Sequence, residues 1–345
     1  MSYKIKALIL GLLTIIPQIM IAQSCSKEVQ VPGVTSVMRS RATDFKNAIG
    51  TGEESIFRSS VYVYATRTVK KYIDNPQDLV AKLVMLGFTD VYIAYDKPSS
   101  SLYIPKSWYL TFNKLAHENG ITIHALSLSN LKLYVSDEPI KENLEWINEF
   151  NNSVDATQKF DGISADLEPH ILKINSTRRP EGLTLAWQES YGIGGDNDLL
   201  LKRTVEVMAL AKKEMGSLTL NQALGFFFQS RYDTGLLSWG GAQQFLQHCD
   251  QVVVMAYNYQ AKRVIEMATP VLTAASQYPK SVSVAVKTSL NTLGDDGPLT
   301  SFQPQGWDNL ITSLKYVLAE AKKFNSFRGI DIFEFGGLEI MWESK

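Results

Sequence analysis

Eight short runs rich in β-branched and aromatic residues recur along this chain, and stretches of helical character lie between them. The runs are SVYVYA (60 to 65), DVYIAYD (90 to 96), ITIHALSLS (121 to 129), FDGISADLE (160 to 168), NQALGFFF (221 to 228), DQVVVMAYN (250 to 258), SVSVAVKTS (281 to 289) and GIDIFEF (329 to 335). Each reads as a strand. The stretches between include NPQDLVAKLVMLG, SWYLTFNKLAHENG, DNDLLLKRTVEVMALAKKEMG and WDNLITSLKYVLAEAKKF, several with Asp, Asn or Ser near the start and Gly at or just past the end, as helices prefer. An α/β chain with this alternation repeated eight times is predicted to close into a (β/α)8 TIM barrel.

The competing open, doubly wound sheet would also alternate, but its cofactor-binding form expects G-x-G-x-x-G after the first strand, and none is there. The GIGG around Gly192 follows no strand in the right place and reads as a loop. P-loop, C-x-x-C and H-E-x-x-H motifs are also lacking, so no nucleotide cofactor and no metal are expected. Lys and Arg number 34 against 35 Asp and Glu, which argues against a nucleic-acid footprint or a polybasic membrane patch and favours a neutral or small partner.

The amino terminus reads as a targeting segment. Lys4 and Lys6 precede an apolar stretch from Ala7 to Ile16, and small residues follow. The stretch is shorter than the roughly 20 residues of a spanning helix, and Pro17 interrupts it. IAQSCSKE around Cys25 resembles a loose bacterial lipobox, with Gln23 as the departure. The expected organisation is a signal peptide over 1–24, a tether and lead-in over 25–54, and one barrel domain over 55–345. The protein is expected to be exported, as an outer-membrane or cell-surface lipoprotein or a periplasmic or secreted protein, with any membrane contact made through a lipid on Cys25. Cys249 then has no partner for a disulfide and reads as a buried core thiol.

The run FDGISADLEPH carries the chemistry. Strand side chains alternate faces, so Gly162, Ser164, Asp166 and Glu168 share one face while Asp161, Ile163, Ala165 and Leu167 share the other. An acidic strand face is tolerated where partners or a wet cleft await it. In a barrel that face points inward, and catalytic groups gather at the carboxyl ends of the strands, which is where Asp166 and Glu168 fall. A capping Glu and a structural Asp before Pro169 is the plainer alternative.

The run from Asp161 to Glu168 resembles the D-G-x-D-x-D-x-E signature of family eighteen chitinase-like glycoside hydrolases, on the fourth strand as in that family. Asp161, Gly162, Asp166 and Glu168 match, while Ser164 replaces the deepest inward acid. VVVMAYN on strand six is similar to the family's M-x-Y-D, with Tyr257 in the place of its tyrosine and Asn258 in the place of its acid. The resemblance implies a substrate-assisted, retaining hydrolysis of a glycan containing N-acetylhexosamine. In it Glu168 would be the acid and base, Asp166 would orient the 2-acetamido group, and Tyr257 would hydrogen-bond its carbonyl. With Ser164 in place of an acid, Asp166 is expected to stay ionised.

Further candidates for the same mouth are Tyr64, Tyr95 and Asp96 after strands one and two, Gln229 and Arg231 after strand five, Lys287 on strand seven and Glu334 on strand eight, with Asp161 and Asn258 from the motifs. Aromatic rings beside polar groups suit a carbohydrate substrate. His170 completes D-x-E-x-H, a weak suggestion of metal ligands that Pro169 disfavours. The alternative function is a carbohydrate-binding barrel that kept the cleft and lost the chemistry. Retention of both Asp166 and Glu168 favours the enzyme.

Overall fold

The computed structural model describes residues 33–52, 56–290 and 297–344. The expected signal peptide and Cys25 lie outside the described residues. Eight parallel strands close into one barrel: β1 Ser60–Val63, β2 Asp90–Ala94, β3 Thr122–Ser127, β4 Gly162–Ala165, β5 Thr219–Gly225, β6 Gln251–Met255, β7 Val282–Lys287 and β8 Phe327–Phe333. The ring closes where Val61 of β1 pairs with Ile332 of β8. Ten α-helices are described: α1 Ser36–Ile49, α2 Pro76–Leu86, α3 Lys106–Glu118, α4 Glu138–Asn152, α5 Asp196–Glu214, α6 Phe227–Asp233, α7 Ala242–Leu246, α8 Ala261–Ala274, α9 Trp307–Ala321 and α10 Phe335–Glu343.

All eight strand readings correspond to a strand, with their ends corrected. FFF at 226–228 was read as strand, but α6 begins at Phe227, and Phe335 opens α10. Aromatic residues favour strands only weakly, and packing of the helix against the barrel overrides that preference. The lead-in segment contains α1, which starts with the Thr35 hydroxyl accepting from the Met38 amide at 3.2 Å and stops at Gly50 with φ of 75°. This helix packs against α2, α9 and α10.

Strand alternation sorts the side chains into two cores. Val61, Val63, Val91, Ile93, Ile123, Ile163, Val252, Val254, Val284, Ile330 and Ile332 pack outward against the helices. Tyr62, Tyr92, Val253 and Ala285 fill the barrel itself, with Tyr64, Leu126, Tyr257 and Phe333 packed against them. Toward the amino end the interior turns polar. Asp331 is fully buried and accepts from the Ser60 amide at 3.1 Å and the Tyr92 hydroxyl at 3.2 Å. Asp90 accepts from Arg58 Nε at 2.9 Å and Arg328 Nη2 at 3.1 Å. Gly162 is required by this crowding: a Cβ there would sit 2.5 Å from both His124 Nδ1 and the Thr219 carbonyl oxygen.

Cys249 is a buried free thiol. Among the described residues no helix is long and apolar enough to cross a membrane.

Candidate active site at the carboxyl mouth of the barrel

The fourth strand ends at Ala165, and the chain stays extended to Glu168 before Pro169 opens a short 3-10 turn through Ile171. Alternation therefore carries Asp166 and Glu168 inward and upward to the mouth. Asp166 keeps some exposed surface, but its Oδ1 is fully enclosed and has no hydrogen-bond partner among the described residues. Burial pushes its carboxyl up to about 6, against a smaller opposing pull from Arg178. It is therefore mostly ionised at neutral pH and takes up a proton below about 6, higher than an ordinary aspartate does. Ser164 lies one inward step below, and its Oγ is itself enclosed without a hydrogen-bond partner among the described residues, so it donates nothing that would offset the desolvation.

Glu168 presents its carboxylate at the mouth, with 24% of the side chain exposed. Its Oε1 lies 3.4 Å from His170 Nε2. The imidazole is fixed by ring-edge contacts with Trp187 at 6.3 Å, Phe227 at 5.6 Å and Phe228 at 5.9 Å. Among the described residues no group of three or more His, Cys, Asp or Glu is arranged to hold a metal ion.

Four other strands bring residues to the same place. Tyr64 follows β1, and its phenol is held well above its ordinary value by burial and then by the charges of Asp166, Glu334 and Glu168. It remains a protonated donor facing three carboxyls. Glu334 follows β8 and is buried, with Oε1 accepting from Arg67 Nη1 at 3.1 Å and Oε2 enclosed without a partner among the described residues. Burial raises its carboxyl, and the Arg67 guanidinium pulls the other way. Tyr257, after β6, packs on Phe333 with ring centres 5.3 Å apart. The buried Lys287 ammonium lies 6.0 Å from the Tyr257 ring and 5.9 Å from that of Phe333.

Other candidates fall elsewhere. Asp161 sits at the amino end of the barrel, where Oδ2 pairs with His117 Nε2 at 2.8 Å and accepts from the Ile123 amide at 2.7 Å. Burial pushes its carboxyl upward, but the His117 and Ile123 hydrogen bonds outweigh it and hold the group low. Its role is to tie α3 to the sheet, so it is removed from the substrate candidates. Tyr95 points outward and stacks on Trp146 at 5.2 Å, within the aromatic packing of α3 and α4. Odd-numbered residues of this strand face the helices, which the sequence reading overlooked for Tyr95.

Gln229 lies on the buried face of α6, donating to Asp233 Oδ1 at 2.6 Å and accepting from the Ala242 amide at 2.6 Å. Asn258 Oδ1 accepts from the Gln260 amide at 2.9 Å and so shapes the turn after β6. Asp96 is half-buried in the β2–α3 loop, with burial raising its carboxyl and Ser100 offsetting part of that. Arg231 lies beyond β5 with its guanidinium 4.7 Å over the Tyr191 ring.

The structure adds Arg67, Arg178, Trp187, Tyr191, Phe227 and Phe333 to the neighbourhood. Phe333 was findable by extending the inward alternation of β8. Arg67, Arg178 and Tyr191 stand on loops whose path no periodicity announces.

No family model matches the chain, and no curated protein matches its sequence. Solved structures do resemble it. A GH18 chitinase from Pseudoalteromonas aurantia superposes with a TM-score of 0.51 at 11% identity, over 81% of this chain and 94% of that one. The spore cortex-lytic enzyme of Bacillus cereus gives 0.48 at 11% identity, over 91% and 84%. The carboxyl-terminal domain of a Legionella pneumophila protein, ChiA, gives 0.46 at 14% identity, over 80% and 92%. The first likeness establishes the fold, a TIM barrel of the kind glycosidases use.

Proposed function

We propose that the chain is a glycoside hydrolase acting on a glycan that contains N-acetylhexosamine, by acid-catalysed, substrate-assisted hydrolysis with retention. The observation that carries this reading is the convergence of Asp166 and Glu168 at the carboxyl mouth with Tyr64 and Glu334 around them. A carbohydrate-binding barrel has no need of an acid at Glu168.

Glu168 gives its proton to the glycosidic oxygen as the bond to the anomeric carbon breaks. The carbonyl oxygen of the sugar's 2-acetamido group attacks that carbon from the opposite face, so the substrate supplies the nucleophile. Asp166 accepts the acetamido N–H as positive charge spreads onto it, and Tyr257 donates to the carbonyl oxygen. These interactions strengthen as the cyclic intermediate forms, which is how they lower the barrier. Glu168, now ionised, then takes a proton from the water that opens the ring, and configuration is retained.

The test compares wild type with Glu168→Gln on chitooligosaccharides and on matched oligomers lacking the acetamido group. Glu168→Gln should lose roughly 10²- to 10⁴-fold in turnover with its circular dichroism unchanged. Equal turnover by both proteins would reject Glu168, and equal turnover of both oligomers would end the substrate-assisted reading.

The chain is further proposed to be exported, with a lipid on Cys25, on the strength of the sequence from Lys4 to Cys25.

A further inference from the structure

A connection between barrel strands ordinarily lays one full helix against the outer wall. Between β5 and β6 the chain does otherwise: α6 runs for 7 residues and α7 for 5, while α5 and α8 on either side run for 19 and 14. The break falls where Gly235 and Gly240 take φ of 71° and 99°, which favours glycine. Two short helices do not fill the space of one long one. A cavity of about 570 Å³ opens there, bounded by Val205 of α5, by α6 and α7, and by Ala274 at the end of α8. Its volume lies inside the range of small-molecule sites, roughly 300–1,000 Å³.

The polar side chains lining it divide into two sets. Gln229 and Gln244 hold the break together: Gln229 joins Asp233 to the Ala242 amide, and Gln244 accepts from the Gly241 amide at 3.1 Å and donates to the Ser238 carbonyl at 3.1 Å. The side chains of Gln247 and His248 and the indole N–H of Trp239 also line the cavity, and they make no hydrogen bond among the described residues. Tyr232 completes the wall. Its ring lies against Gly241, where a Cβ would sit 3.1 Å from Cδ1, and 38% of the residue stays exposed.

The chemistry of this lining narrows the guest. No Lys or Arg lines the cavity, and Lys202, whose ammonium is 5.9 Å from the Trp239 ring, pairs with Glu206 at 3.8 Å, so a phosphate finds no permanent cation. Asp233 and His248 are two metal donors, and among the described residues no group of three is arranged for a metal ion. An apolar guest would leave the amide and imidazole groups desolvated without partners. We propose that the broken helix between β5 and β6 forms a second binding site, on the outer wall of the barrel, for a neutral mono- or disaccharide. The apolar C–H face of the sugar lies on Tyr232, and its hydroxyls meet Gln247, His248 and Asp233. The site needs no bond to break, so it stands independently of the hydrolase reading. In a hydrolase it would hold the protein on a polymer while the mouth works.

Calorimetric titrations with glucose, galactose, mannose and N-acetylglucosamine, and with adenosine and inorganic phosphate as comparisons, are run on wild type, Glu168→Gln, Tyr232→Ala and Gln247→Ala. At least one sugar should bind wild type and Glu168→Gln alike, and both Tyr232→Ala and Gln247→Ala should weaken it about tenfold with circular dichroism unchanged. Gln247 is exposed and without a side-chain partner among the described residues, so its replacement leaves the fold intact. Failure of all four sugars to bind, a response of neither variant or of one alone, or tighter binding of adenosine or phosphate would overturn the proposal. Sugar binding through Tyr232 and Gln247 in a protein that cleaves no glycan would uphold the wall site and reject the hydrolase. Cleavage that depends on Glu168, with no sugar bound through Tyr232 and Gln247, would do the reverse.

Discussion

His170 Nε2 lies 3.4 Å from Glu168 Oε1, and the imidazole that makes this approach is wedged among the rings of Trp187, Phe227 and Phe228. The carboxylate expected to move the proton is therefore steadied by a side chain that the long β4–α5 loop and α6 hold in place. Both groups are about a quarter exposed, so the pairing contributes little to stability through charge alone. Its value is positional.

His170→Ala is accordingly expected to lower kcat by about 10- to 100-fold on a short chitooligosaccharide, because a carboxyl free to rotate spends less time aimed at the leaving oxygen. KM on that substrate should change far less. Steady-state kinetics check this, and a variant with wild-type kcat would leave His170 as packing only.

Asp166 supplies a pH dependence. With its carboxyl pushed up to about 6 by burial, it is protonated below that value and ionised above it. If the ionised form accepts the acetamido N–H, kcat should rise with pH through about 6. Asp166→Asn should be slower and should lack that rise. A pH–rate profile of the two proteins decides it, and an identical acidic limb in both would assign the limb to another group.

Gly162→Ala tests the tight packing at the amino end of β4. The new methyl would press on His124 Nδ1 and on the Thr219 backbone, of which the second cannot move without shifting β5. Overpacking of this kind costs about 1–3 kcal/mol, and chemical denaturation should report a loss in that range.

The barrel was legible in the sequence because strand alternation and the eight helix intervals are set by local pattern. Asp166 and Glu168 followed from it, since inward parity at a strand's carboxyl end is enough to place a side chain at the mouth, whereas Tyr64 came from nearness to the end of its strand and Tyr257 from the resemblance of VVVMAYN to M-x-Y-D. Tyr95, Asp161 and Gln229 went astray for the same physical reason. Each was judged by nearness to a strand end or a motif, while parity and chain direction put Tyr95 against the helices and Asp161 at the opposite end. Arg67, Arg178 and Tyr191 were out of reach, because loops are fixed by clamps such as Arg179 and Asn197 that join residues with no periodic relation.

The amino-terminal proposal is checked on the mature protein. Processing at the lipobox-like sequence would leave Cys25 as the first residue, carrying acyl chains on a diacylglyceryl thioether. Intact-mass and tryptic-peptide analysis of membrane-extracted protein should find that mass. An unmodified chain starting at Gln23, or one retaining Met1, would reject lipidation.

Asp331 gives the last expectation, one of stability. It is fully buried inside the barrel, and burial pushes its carboxyl up to about 6, with Arg328 pulling it down and Asp90 pushing it up. The Ser60 amide, which donates to it, also favours the charged form. A carboxyl whose folded-state value exceeds its unfolded one stabilises the protein fully below about 4 and loses that contribution as pH rises through about 6. From 3.8 to about 6 the shift corresponds to about 3 kcal/mol. Asp331→Asn is neutral at every pH and keeps a similar shape, so it avoids this loss. The stability of the variant relative to wild type should therefore rise by about 3 kcal/mol between pH 4 and pH 8. Taking the difference between the two proteins cancels titrating groups that do not interact with Asp331, among them Asp161, whose lowered value acts with the opposite sign. Urea denaturation at the two pH values measures it, and a difference that stays constant with pH would show that Asp331 is ionised inside the barrel at no cost.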